Sequence, residues 1–221
     1  MRLVNSPFRI ASEARLRTTA VLWVIWAILA ATPARGAEIQ FPIKPSSDSR
    51  LELVVEKTGL FSGKKHVFTF DRYSGTLLLD PESPERSKVN LTIEANSLVC
   101  HDTWVSMKDL RKIMEEGTKN MLAADRFPTI SFKSASVAMA GAGKYEVHGM
   151  LTIRGTAKPA MVIVNWTPGG APPFMFAGDA VVKLTDYGLK PPTAVLGAIG
   201  TRNEMQFHFR LAVKREGADP A

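Results

Sequence analysis

From Tyr145 to Trp166 the chain reads YEVHGMLTIRGTAKPAMVIVNW. Tyr145, Val147, Leu151 and Ile153 share one parity, and Glu146, His148, Thr152 and Arg154 share the other, with Met150 as the apolar exception. Successive side chains on a strand point to opposite faces, so this period predicts a strand with one dry face and one wet one. Gly155 to Pro159 have turn composition, and apolar residues resume from Ala160 to Trp166, which predicts a hairpin. A lone hairpin is marginal in water, so its dry face calls for more sheet.

The rest of the chain supplies it. Leu51, Leu53 and Val55 alternate with Arg50, Glu52, Val54 and Glu56. Between Lys64 and Asp80 an alternating run is interrupted by DRYSG, and Ser74-Gly75 reads as a kink inside one curved strand. Val89, Leu91, Ile93 and Ala95 continue the pattern, as do Ile130 and Phe132, the segment from Phe174 to Leu184, and Met205, Phe207, Phe209, Leu211 and Val213. Phe41 and Ile43 suit a short leading strand. Only between Trp104 and Gly117 does the period become helical, through Trp104, Met107, Leu110, Ile113 and Met114, with Ser106 as cap and Asp109 three residues on. The stretch from Asp186 to Ile199 carries Gly188, Pro191, Pro192 and Gly197, which deny it a regular ladder. About eight strands in sequence order predict an all-β fold, an eight-stranded antiparallel barrel with one helical insertion. A sandwich is the structural rival.

Charge and cysteine content change the picture at the N-terminus. The formal net charge is +7, but residues 1–37 hold five Arg against one Glu, leaving 23 Lys and Arg against 20 Asp and Glu in the remainder. The basic excess forms no stripe, which argues against a nucleic-acid partner. Arg9, Arg15 and Arg17 precede the apolar run Ala20 to Ala31, and TPARGA follows. That run falls short of the ~20 residues a spanning helix needs, and its layout is that of a secretory signal peptide over residues 1–36. The expectation is a periplasmic or secreted barrel domain over 38–215, with a polar tail at 216–221. Cys100 is the only cysteine, so no intramolecular disulfide can form and the core must suffice.

Four motifs carry a family resemblance. Arg126-Phe127-Pro128-Thr129-Ile130-Ser131-Phe132-Lys133-Ser134 resembles the R-[FY]-P-x-I-x-F-x-S signature of the YceI-like polyisoprenoid-binding family. Tyr145 to Gly155 is similar to its Y-x-V-x-G-x-L-T-x-x-G segment. Phe70, Tyr73, Gly75 and Leu77 resemble its F-x-x-F-x-G-x-L element, and Asp186-Tyr187-Gly188-Leu189 its D-[FY]-G-[IL] element. The likeness runs from about Gln40 to Lys214. It departs in the opening, where no His precedes the first long strand, and at Lys183-Leu184-Thr185, where the family often has Arg. The resemblance implies a lipocalin-like barrel holding an isoprenoid lipid or quinone in an apolar tunnel, in a family not known as enzymes; the residues themselves lead to the expectation of no catalytic residues, no metal and no other cofactor. The resemblance also implies export and, in some members, a homodimer. Transient membrane contact is a further expectation for a lipid carrier.

A tunnel for a hydrocarbon tail needs apolar area more than specific polar chemistry. Strand parity nominates Leu53, Val55, Phe68, Phe70, Leu77, Leu79, Leu91, Ile93, Phe132, Val147, Leu151, Ile153, Phe176, Phe207, Phe209 and Leu211 as lining, with ordinary core filling as the alternative for each. Met107, Leu110, Ile113, Met114 and Met121 are candidates for an adaptable lid or a plain plug at one barrel end. The Gly- and Pro-rich loop at 186–200 is a candidate mouth, with Tyr187 over a head group. Cys100-His101-Asp102 offers reactive side chains, but neighbours on an extended chain diverge, which argues against a nucleophile or metal site. Two rival functions stay open: a protein–protein module with a packed interior, and an enzyme acting on a lipid-like substrate.

Overall fold

A computed structural model describes residues 38–215. The signal peptide and polar tail expected from the sequence lie outside the described residues. Among the described residues, eleven strands form one antiparallel sheet: β1 (Ile39–Ile43), β2 (Arg50–Gly59), β3 (Lys65–Phe70), β4 (Tyr73–Leu79), β5 (Lys88–Glu94), β6 (Leu98–Cys100), β7 (Thr129–Gly141), β8 (Lys144–Ile153), β9 (Thr156–Asn165), β10 (Phe174–Lys183) and β11 (Ile199–Val213). The spatial order is β1-β4-β5-β7-β8-β9-β10-β11-β2-β3-β6.

The sequence predicts eight strands, and the difference from eleven has a structural cause. Three long strands are broken in mid-course. β3 passes into β4 through Asp71 and Arg72, and β5 passes into β6 through a 3-10 turn at Ala95–Ser97. The ladder crosses both breaks, because Asp71 N–H donates to Ser97 O at 3.1 Å and Glu94 N–H to Arg72 O at 3.0 Å. β1 and β2 lie along β4 and β3, respectively, on the same side of that bent strand. Joined in this way, the eleven segments make eight strands in sequence order, and the last, β11, pairs with β2. The wall therefore returns to itself as an up-and-down meander. The break in the third element falls at Asp71-Arg72 rather than at Ser74-Gly75.

Alternation along a meander fixes two ends. The connections at 80–87, 142–143 and 166–173 lie at one end, called upper here. Those at 60–64, 101–128, 154–155 and 184–198 lie at the other. The lower end holds the helix α1 (Met107–Glu115), capped by Ser106, whose Oγ accepts from Asp109 N–H at 3.1 Å. Its last turn widens into a π-helical segment, Glu116–Met121. Gly117 lets this segment approach β6, since a β-carbon there would lie 2.8 Å from Leu98 Cδ2. Arg154 donates to the carbonyls of Asn120 and Met121 at 3.3 and 3.4 Å, tying the segment to the β8–β9 turn.

Candidate functional site

The inward parity of the strands builds the interior. On β8, Tyr145, Val147, Leu151 and Ile153 face in, and on β11 Met205, Phe207, Phe209, Leu211 and Val213 do so. In the lower half these side chains meet and fill the space: Leu53, Phe68, Phe70, Leu98, Ile153, Leu184, Tyr187 and Leu189 are buried in one cluster. The cluster continues into the upper half, where Trp166 stacks on Phe176 at 5.4 Å, but there the inward side chains do not fill the space between the walls. A cavity of about 190 Å³ remains, lined from every wall. β1 contributes Ile43, β2 Leu51, β4 Leu77 and Leu79, and β5 Val89, Leu91 and Ile93. β7 contributes Ile130, Phe132 and Val137, and β8 Tyr145, Val147 and Leu151. The remaining lining comes from Ala160, Val162 and Val164 of β9, Trp166 just beyond it, Phe176, Ala180 and Val182 of β10, and Phe207, Phe209, Leu211 and Val213 of β11. The segments β3 and β6 contribute nothing to it, because they belong to the filled half.

Polar groups are few on this lining: Ser87 and exposed Lys88 by the upper connection, with Pro84 beside them; His208 also borders it, but Phe207 and Phe209 take the inward parity and its ring turns out. Ser87 Oγ accepts from Asp80 N–H at 3.0 Å, and His208 Nδ1 pairs with Asp179. The connection itself is anchored by Asp80, which is fully buried. Its carboxylate accepts from Glu82 N–H at 3.1 Å, Ser83 N–H at 2.9 Å and Arg86 Nε at 2.8 Å. Burial pushes its pKa up, but the Ser83 N–H, Arg86 and the Glu82 N–H outweigh that and hold it below its ordinary value.

Of the residues nominated from parity, Leu77, Leu79, Leu91, Ile93, Phe132, Val147, Leu151, Phe176, Phe207, Phe209 and Leu211 line the cavity. Leu53, Phe68, Phe70 and Ile153 are buried in the filled half, with Val55 packed against them. Leu110, Ile113, Met114 and Met121 pack on the core from the helical segment and close the lower end, while Met107 is 68% exposed. Met114 Sδ accepts from Cys100 N–H at 3.1 Å. No residue of the helical segment lines the cavity, and the loop expected at its mouth stands at the opposite end from Ser87 and Lys88. Tyr187 is buried, its hydroxyl 3.5 Å from the Leu151 carbonyl. The β9 lining, Ala160, Val162, Val164 and Trp166, is missing from the sequence reading because Met161 and Ile163 make both faces of that strand apolar.

A second cluster lies in the lower half. His66, Cys100 and Asp102 bring donor atoms within 4.8 Å of one another. Asp102 and Cys100, two apart, share a face, while His101 turns the other way to Thr69 Oγ at 2.8 Å. The Asp102 carboxylate is engaged by His66 Nδ1 and by Val67 N–H at 3.0 Å, and Trp104 stacks on the His66 ring at 5.3 Å. Burial pushes the Cys100 thiol up to about 11. At neutral pH it is a protonated thiol in a satisfied structural network, and a poor nucleophile.

The YceI-like domain profile matches residues 41–212, nearly all of the described chain. The chain belongs to the YceI-like family. Curated relatives include the UPF0312 protein of Pseudomonas savastanoi pv. phaseolicola, 29% identical over 133 residues, covering 56% of this chain and 64% of the relative. The UPF0312 protein of Pseudomonas aeruginosa strain LESB58 is 30% identical over 126 residues, covering 55% and 62%. The matched stretch thus spans under two thirds of these relatives. Among solved structures, BcnA of Burkholderia cenocepacia superposes with a TM-score of 0.60 at 23% identity, over 76% of this chain and 96% of that one. A polyisoprenoid binding domain from Saccharophagus degradans, implicated in plant cell wall breakdown, gives 0.54 at 16% identity over 78% and 97%. At these identities the structural likeness establishes the YceI-like fold.

Proposed function

We propose that this YceI-like protein is an exported carrier that encloses the hydrocarbon tail of a polyisoprenoid or isoprenoid quinone in the upper half of its barrel, without bond-making chemistry. The observation that carries this reading is the apolar cavity. The space is far above the roughly 10–15 Å³ threshold for admitting a single water, so it has room for several. Its walls offer such waters almost nothing to bond to. Hydrocarbon that enters loses its own water contact at about 25 cal/mol per Å² buried. Several isoprene units would together outweigh the translational and rotational cost of association. The name of the Saccharophagus degradans relative supports an isoprenoid over a straight acyl chain. The N-terminal leader pattern supports a periplasmic or secreted location. A packed interaction module fits less well, because such a module has no reason to keep this volume unfilled.

The test is mass spectrometry of an organic extract from the purified mature protein, followed by titration with a long-tailed ubiquinone. A co-extracted prenyl lipid, or saturable uptake of the quinone, is the expected result. Protein that yields no lipid and takes up no quinone would overturn the reading.

A further inference from the structure

The barrel wall is not equally closed all round. β8 and β9 pair over ten residues, from Lys144↔Asn165 to Ile153↔Thr156. On its other side β9 pairs with β10 over three, Ala177↔Asn165, Gly178↔Val164 and Asp179↔Ile163. Below those pairs the ladder stops, leaving 156–162 of β9 and 180–183 of β10 without ladder pairing between them. Pro159, which brings no N–H, lies in the unpaired stretch of β9, as suits an edge. Further down, the turn at Leu184–Tyr187 packs against β9 and closes the split. The result is a slot in the backbone ladder, bounded above by paired residues and below by a turn.

The inner side of this slot borders the cavity. Were the register of the three pairs continued, Val162 would face Ala180 and Ala160 would face Val182 on the inner side. All four line the cavity. Two of them are alanines, so the lips are thin. On the outer side the same continuation sets Met161 against Val181 and Pro159 against Lys183. Met161 is 45% exposed and Val181 63% exposed, and neighbouring Met150, paired with Pro159, is 42% exposed. Large apolar side chains clustered on the outside of a sheet mark a contact surface. Exposed Lys133, paired with Met150, and exposed Lys183 flank the cluster on either side.

Building on the carrier reading, we infer that the β9–β10 slot is the entry and exit for the hydrocarbon chain, and that its outer rim seats on a bilayer containing anionic phospholipid. Met150, Met161 and Val181 enter the interfacial region, and the flanking lysines meet the head groups. The chain then passes sideways between the lips into the cavity with little exposure to water. Backbone groups left unpaired along the lips stay hydrated while the protein is free in solution.

The test uses the mature protein carrying Met161→Cys and Val181→Cys, stapled across the slot with a cleavable bis-methanethiosulfonate. The readout is transfer of a fluorescent polyprenol from phosphatidylethanolamine–phosphatidylglycerol vesicles. Stapling is expected to slow uptake and release about tenfold or more, as closing a gate does, and thiol cleavage to restore both. An unchanged rate in fully stapled protein overturns the side entrance and leaves the carrier reading standing. No uptake by the wild-type protein overturns the carrier reading and the entrance with it. The wild-type protein also tests the seating surface without any substitution. Transfer from vesicles with phosphatidylglycerol should outpace transfer from phosphatidylcholine alone and should slow with salt. Equal rates overturn the bilayer contact.

Discussion

Phe209 lies over Gly178, its partner directly across the β10–β11 ladder, with ring atoms 2.7 and 2.9 Å from where a β-carbon on Gly178 would stand. The ring uses the hollow left by the missing side chain and lies against the wall. Phe132 does the same over Gly149, at 2.7 and 2.8 Å. Two large aromatic side chains on the inner face are thereby kept from crossing the lumen. A β-carbon at 178 would also meet the Ile163 carbonyl oxygen at 1.9 Å, where backbone rather than a flexible side chain must yield. Gly178→Ala is therefore expected to cost roughly 1–3 kcal/mol, the usual range for overpacking. It should also weaken polyprenyl binding by turning Phe209 inward. Urea unfolding and quinone titration of the same variant check the two effects.

A hollow upper half and a solid lower half respond differently to the same enlargement. Leu91 borders the cavity, whereas Leu53 is buried where side chains already meet. Leu91→Trp should fill space at a cost under about 1.5 kcal/mol while reducing quinone uptake tenfold or more. Leu53→Trp should cost about 1–3 kcal/mol. Equal destabilisation by the two, compared by urea midpoints, would contradict a hollow upper half.

Local alternation makes most of this fold legible. β8 and β11 each have one polar face, so Val147, Leu151, Phe207 and Phe209 are placed inward from parity alone. β9 has no polar face between Ala160 and Val164, and parity there selects no side. The breaks at Asp71-Arg72 and Ala95–Ser97 depend on two strands bending together, bonded between Asp71 and Ser97, a relation no local window contains. Which half of the barrel stays hollow is equally hidden. It depends on the helical segment and the 184–189 turn filling one end, through contacts such as Gly117 on Leu98 and Tyr187 beside Leu151. The His66–Asp102 pair joins residues 36 apart and is likewise invisible to spacing.

Asp80 holds the connection that carries Ser87 to the cavity rim. Its pKa is depressed in the folded protein, so the carboxylate stabilises the fold above its unfolded value, near 3.8, and that contribution is lost as pH falls through the lower folded value. Asp80→Asn removes the charge while keeping the shape. It should lower the urea midpoint at pH 7, leaving the Arg86 guanidinium without its anionic partner. It should also shrink the difference in stability between pH 7 and pH 3 relative to wild type. A variant whose stability falls as steeply with acid as the wild type would place the acid sensitivity elsewhere.

Cys100 makes the opposite prediction at high pH. Its thiol is pushed up to about 11 by burial, above its ordinary 9.0. A folded-state pKa raised in this way means the native protein holds the proton more tightly than the unfolded chain. The stabilisation is complete below pH 9 and disappears as pH rises through 11. Tyr73, Tyr145 and Tyr187, raised by burial from 10.0, add to the loss in the same direction above pH 10. Urea midpoints should therefore decline from pH 8 to pH 10.5, and Cys100→Ala should remove the part of the decline that begins near pH 9. The same burial makes the thiol slow to react. Iodoacetamide at pH 8 should label native protein at least about a hundredfold more slowly than the urea-unfolded chain, since both thiolate fraction and access are reduced. Rapid labelling of the native protein, followed by mass spectrometry, would show that the thiol is reached through the lower end and that the His66–Cys100–Asp102 cluster is not sealed by Met114 and Trp104.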